Sequence, residues 1–97
     1  MVIRVLDVVR ACNTASEGAV VARAVKAFLD RGEKVELSFG GVSDVPSSFV
    51  NASIVYLFNE MPNADLSQLL KITNVTTQIA EMIRRCLDIN RRKSQAA

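Results

Sequence analysis

Residues 35–39 read Val-Glu-Leu-Ser-Phe, an alternation of apolar and polar positions that suits a β-strand with one dry and one wet face and suits no helix. Gly40-Gly41 ends it, and on either side the apolar period lengthens to that of helices. Upstream, Val21, Ala24, Val25, Phe28 and Leu29 recur at three- and four-residue intervals. Thr14-Ala15-Ser16-Glu17 has the spacing of a capping box, in which a side-chain oxygen and a carboxylate three residues on satisfy each other's backbone donors. Gly32 stands where a left-handed C-terminal cap is wanted, so a helix is predicted from Ala15 to Arg31. Before it, Val2 to Val9 is a β-branched run and is predicted as a first strand.

Downstream, Ser47 or Ser48 is predicted to cap a second helix with the stripe Val50, Ile54, Leu57, Phe58 and Met61, stopped at Pro62-Asn63. Leu69 to Ile72 reads as a third strand. From Asn74, a good N-cap, a third helix carries Val75, Ile79, Met82, Ile83, Cys86 and Ile89 on one side and Glu81, Arg84, Arg85 and Asp88 on the other. The order β-α-β-α-β-α calls for a mainly parallel or mixed sheet joined by right-handed crossovers. Because the strands alternate, helices should cover one sheet face and leave the other partly open, giving a small two-layer α/β sandwich. At 97 residues the chain is long enough for one core, so one domain is expected over residues 1–90, followed by a polar basic tail at 91–97. Three short strands leave two sheet edges, which invites a homodimer or a partner complex.

Composition narrows the chemistry. Apolar residues make up 49% and charged residues 23%, which excludes disorder along the whole length. No apolar run reaches the roughly 18 residues of a membrane helix, and Arg4 and Asp7 interrupt the N-terminal run, so a cytoplasmic chain is expected. There is no histidine, which removes Ser-His and Cys-His nucleophile pairs, and no Gly-rich phosphate loop occurs. Cys12 and Cys86 stand far apart and signal neither a zinc site nor a redox pair; buried, reduced thiols are the expectation, with no metal or other cofactor. The basic excess is terminal: residues 84–97 carry 5 Lys/Arg against 1 Asp/Glu, whereas 1–83 carry 7 against 9. A nucleic-acid-associated or antitoxin-like subunit would use that end, but the body has no basic stripe and few rings for stacking, so a solvated helix terminus is the preferred reading and nucleic acid is not the expected partner. Thr14, Ser16 and Gly18 are the candidate residues for an anion seat at a helix N-terminus, as in a small-molecule or nucleotide sensor; plain capping is the other reading of the same residues.

The stretch from Val35 to Phe49 resembles the central signature of STAS domains, the fold of bacterial anti-sigma factor antagonists. More closely, Gly41-Val42 and Pro46-Ser47-Ser48-Phe49-Val50-Asn51-Ala52 are similar to the STAS-like domain family of unknown function numbered 4325. Thr14 to Gly18 match the start of that family's first helix and Leu70 to Asn74 its last strand and turn, so the likeness covers nearly the whole chain. It implies a STAS-like fold and a non-enzymatic regulatory domain that binds another protein through the second helix and the loop before it. In the antagonists, a serine or threonine at this helix start is phosphorylated by a partner kinase of the histidine-kinase-like ATPase fold. Ser48 falls at that position, with Ser47 adjacent; Pro46 stands where the antagonists have an acid, and Phe49 where they have a glycine. The implied partner-binding or phosphorylation residues are Ser48, Ser47, Pro46, Phe49 and Asn51. On the same helix Phe49, Val50, Asn51, Ser53 and Tyr56 are expected to offer more contact surface than its core stripe requires.

Overall fold

The computed structural model describes residues 1–61 and 63–96, and the side chains of all of these except 63, 64 and 93–96. Three parallel strands, β1 (Val2–Arg4), β2 (Val35–Ser38) and β3 (Leu70–Thr73), lie in the order β1-β2-β3. Their register aligns Ile3 with Leu37 and Leu37 with Ile72 on the covered face. Val2, Glu36 and Lys71, then Arg4, Ser38 and Thr73, line up on the other face. Sequential strand order with right-handed crossovers sets the connecting helices on one side. The sheet is therefore half open, as its alternation predicts, and the strand backbones of β1 and β3 form its two edges.

The first strand is shorter than expected. Residues Val5–Val8 form a single helical turn, α1, in place of a strand continuing to Val9. The reason is the partner: β2 ends at Ser38, opposite Arg4, and beyond that point β1 has no ladder to join. A turn satisfies the backbone internally instead, with the Val9 amide donating to the Val5 carbonyl at 3.0 Å.

Helix α2 (Ala15–Leu29) begins at the expected capping box and buries Val21, Ala22, Val25 and Leu29. It ends in a Schellman arrangement: the Gly32 amide donates to Leu29 O and the Glu33 amide to Phe28 O, with Gly32 at φ +79°. After β2 and a loop, residues 47–60 form one helical rod in three parts: α3 (Ser47–Val50), a π-helical turn (Asn51–Val55) and α4 (Tyr56–Glu60). The rod lies between α2 and the long α6 (Thr77–Ala96). A further helix, α5 (Asn63–Leu69), precedes β3 and was not expected; its Leu66 is fully buried. Pro62, read as the residue that stops the second helix, lies outside the described residues. The helical backbone of α6 continues through most of what reads in sequence as a polar tail.

The core sits between sheet and helices around Leu37, Phe39, Phe49, Ile54, Leu57 and Ile79. Phe39 and Phe49 meet edge to face, with centroids 6.4 Å apart, a contact worth about 0.5–1.5 kcal/mol beyond burial. Both cysteines are free and buried, and burial pushes the Cys12 thiol up to about 11. No helix among the described residues is long and apolar enough to cross a membrane.

Asn74 does not cap α6. It takes a left-handed conformation, φ +56°, and its amide donates to Ser38 Oγ at 2.8 Å, which ties the end of β3 to the end of β2. The cap is Thr76, whose Oγ1 accepts from the Ile79 amide at 3.3 Å. With α6 starting there, Val75 drops out of its apolar stripe and is 37% exposed, while Ile79 and Cys86 are buried as predicted.

Candidate functional site

The loop between Phe39 and Ser47 is fastened to the start of α6. Gln78 brackets Val45, accepting from its amide through Oε1 and donating through Nε2 to its carbonyl, each at 3.0 Å. Thr76 Oγ1 donates to Ser43 O at 2.8 Å. These bonds hold Pro46 in an extended conformation, φ −82° and ψ 163°, so that Pro46 itself occupies the N-cap position and makes no side-chain cap bond. Ser47 and Ser48 are consequently the first two helical residues. The expectation that one of their hydroxyls caps the helix is corrected: at these positions the side chain lies past the amides a cap would serve. Both serines are exposed.

Phe49 is also corrected. It is fully buried against Phe39, and Val50 and Ser53 are buried with it, so three of the five residues expected as contact surface belong to the core. Asn51 and Tyr56 remain exposed. Pro46 is half-buried at the head of the rod.

The other candidate cluster is a self-capped terminus. Glu17 N donates to Thr14 Oγ1 at 3.2 Å, while Glu17 Oε1 accepts from the amides of Asn13 and Thr14 at 3.0 and 3.1 Å. Those bonds, the Asn13 amide first, hold the Glu17 carboxyl below its ordinary value. The chain thus places its own carboxylate at the positive end of α2, and the geometry there needs no external anion. Ser16 is exposed, and Gly18 is a packing residue: a Cβ there would stand 2.5 Å from Phe49 O and 3.0 Å from the Ala52 Cβ.

What the structure brings together is a groove of about 500 Å³ between the rod and α6. One wall is the row Ser47, Asn51, Val55 and Asn59. These residues are spaced four apart, and in an unbroken α-helix such a row would rotate by about 120° between its ends. The π turn at Asn51–Val55, with its i→i+5 bonding, widens the middle of the rod and reduces that drift, and the four residues line one wall. Ser53 Oγ, donating to Phe49 O at 2.7 Å, satisfies a carbonyl where the α-helical pattern is interrupted.

The second wall is α6, with Met82, Arg85, Cys86, Ile89 and Asn90. Asn59 and Asn90 close one end by exchanging amide hydrogen bonds of 3.3 and 2.9 Å. Since Gln78 holds Val45 near the other end, the two helices run parallel and Arg85 stands in mid-groove. Among the described residues Arg85 forms no ion pair, and Ile89, predicted for the core side, is 46% exposed.

A family model, the STAS-like domain of unknown function (DUF4325), matches residues 17–80. The chain belongs to this family. No curated protein and no solved structure matches it. In this STAS-like domain the matched segment runs from the first turn of α2 to the first turn of α6. It therefore includes the whole rod wall of the groove, whereas Met82, Arg85, Ile89 and Asn90 lie beyond it. The sequence singles out Ser47 and Asn51 as contact residues, assigns Met82, Cys86 and Ile89 to the core side of α6 and Arg85 to its other side, and does not mark Val55, Asn59 or Asn90. The spacing Ser47-Asn51-Val55-Asn59 is visible in the chain, yet at α-helical pitch its two ends stand about 120° apart.

Proposed function

We propose that this STAS-like domain is a non-enzymatic regulatory module of the cytoplasm that binds another protein across the rod–α6 groove. The observation that carries the reading is the groove's composition: an exposed Ile89 and a half-buried Met82 flank Arg85, which has no ion pair among the described residues, a pairing of apolar surface with a specific polar contact that suits protein recognition. Ser47 lies on the rod wall and Ser48 beside it, both exposed at the first helical turn. That position supports the switch the antagonist resemblance implies, phosphorylation of Ser48 by a histidine-kinase-like ATPase partner. A phosphate there is tolerated by the helix dipole in the isolated domain, and adds charge and bulk at a contact surface.

The test is site-specific photo-crosslinking in the native host from a probe at Asn51, with a control probe at the exposed Ala27 on α2. A discrete protein adduct is expected from Asn51 alone, and it should be lost in a Ser48→Asp background. Equal labelling from both positions, or none from Asn51, overturns the reading.

A further inference from the structure

The charge of the groove says what kind of partner fits it. Arg85 is the charged side chain that lines it, and no acid shares the lining. Glu81 and Asp88 lie one turn away on the same helix, and neither pairs with it among the described residues. Arg84, Arg91 and Arg92 are exposed on the same helix, so the local field is positive. An unpaired guanidinium beside apolar surface is an incomplete arrangement: covering the groove with a purely apolar segment would strip its water and leave the charge without a counterion. A carboxylate supplies what is missing, accepting two parallel N–H bonds from the guanidinium. The floor around it, Val55, Met82 and Ile89, is apolar. Nucleic acid fits less well, because it requires several phosphate contacts and stacking rings, and the groove offers one cation and no aromatic residue.

We propose that the groove receives a short amphipathic segment of a partner protein whose apolar residues cover Val55, Met82 and Ile89 and whose carboxylate binds Arg85. The proposal rests on the reading of the groove as a protein-binding surface. From Ser47 to Asn59 the wall is about 18 Å long, which accommodates roughly three turns of helix. The Asn59–Asn90 pair closes one end of the groove, and the Val45–Gln78 bonds lie near the other.

The experiment selects displayed random peptides of about twelve residues, enough to span the wall as a helix, on the full chain and measures the winners by fluorescence anisotropy. The expected consensus is an Asp or Glu among apolar residues. Replacing that acid by its amide, or Arg85→Ala in the protein, should each weaken binding at least about tenfold, with thermal melting unchanged because Arg85 is exposed. A peptide with Lys in place of the acid should lose the wild type and gain the Arg85→Glu protein.

Peptides that are blocked by Asn51→Arg but show no acidic preference and ignore Arg85 overturn this inference while leaving the groove as a protein site. Peptides indifferent to Asn51→Arg overturn both. Concentration-dependent self-association abolished by Arg85→Glu assigns the groove to a second copy, and a salt-sensitive RNA shift abolished by Arg85→Ala assigns it to nucleic acid; either result overturns the proposal.

Discussion

Gly18 on α2 and Phe49 on the rod approach so closely that a Cβ on Gly18 would stand 2.5 Å from the Phe49 carbonyl oxygen. That oxygen also accepts the Ser53 hydroxyl, and the Phe49 ring is fixed against Phe39, so the backbone on the far side of the contact has little room to withdraw. The absence of one methyl group therefore sets the distance between the first helix and the rod.

Gly18→Ala weighs two opposing terms. Alanine favours a helix over glycine by about 1 kcal/mol, but overpacking a fixed backbone contact costs about 1–3 kcal/mol. A net loss of up to about 2 kcal/mol is expected in urea denaturation, and a gain would show that the two helices separate freely.

Asn74 combines a left-handed backbone with a hydrogen bond to the buried Ser38 hydroxyl. Asn74→Gly keeps the conformation and loses the bond, at about 1 kcal/mol. Asn74→Ala loses both and is expected to cost about 1–2 kcal/mol more. Equal melting temperatures for the two variants would remove the backbone contribution.

Thr14 and the serine pair separate capping from mere presence at a helix start. Thr14→Ala should cost about 1 kcal/mol, because its Oγ1 is bonded to the Glu17 amide. Replacing both Ser47 and Ser48 by Ala should change stability by less than about 0.5 kcal/mol, since neither caps the rod. Ser48→Asp should likewise fold normally, a carboxylate in the first turn being favoured by the dipole. Chemical denaturation of the three variants checks the ordering.

Glu17 makes the stability pH-dependent. Its folded value is lowered by the Asn13 amide first and then by Thr14, so ionised Glu17 favours the folded state. Its contribution is complete above the ordinary glutamate value and is lost as the pH falls through the lower folded value. Melting temperature against pH should therefore decline less steeply on the acid side for Glu17→Gln than for the wild type, and parallel acid limbs would count against the capping box.

Local rules account for what was legible in the chain. The capping box at Thr14 and Glu17, the Gly32 terminator, the dry Val35 and Leu37 of β2 and the middle of the α6 stripe, Ile79 to Cys86, are contained in a few neighbouring residues, and each is found where its own chemistry puts it, whereas Val75 and Ile89 at the ends of that stripe are exposed. The start of the rod was misplaced because its cap depends on Gln78, far along the chain, holding Val45. The rod wall of the groove was hidden by the π turn, since at α-helical pitch the ends of the row from Ser47 to Asn59 stand about 120° apart, and the α6 wall by its pairing with a distant helix.

The sequence by itself determined the alternating order of strands and helices, the half-open sheet and the two thiols withdrawn from solvent, because periodicity and local capping depend on near neighbours. Only the tertiary structure decided that β1 stops at Arg4, that Phe49 turns inward and that Arg85 and Asn51 line one groove. The first follows from where β2 ends; the second from the ring of Phe39; the third from two parallel helices pinned at Val45–Gln78 and Asn59–Asn90. Each is a contact between distant parts of the chain, and no local pattern specifies which distant partner a residue will meet.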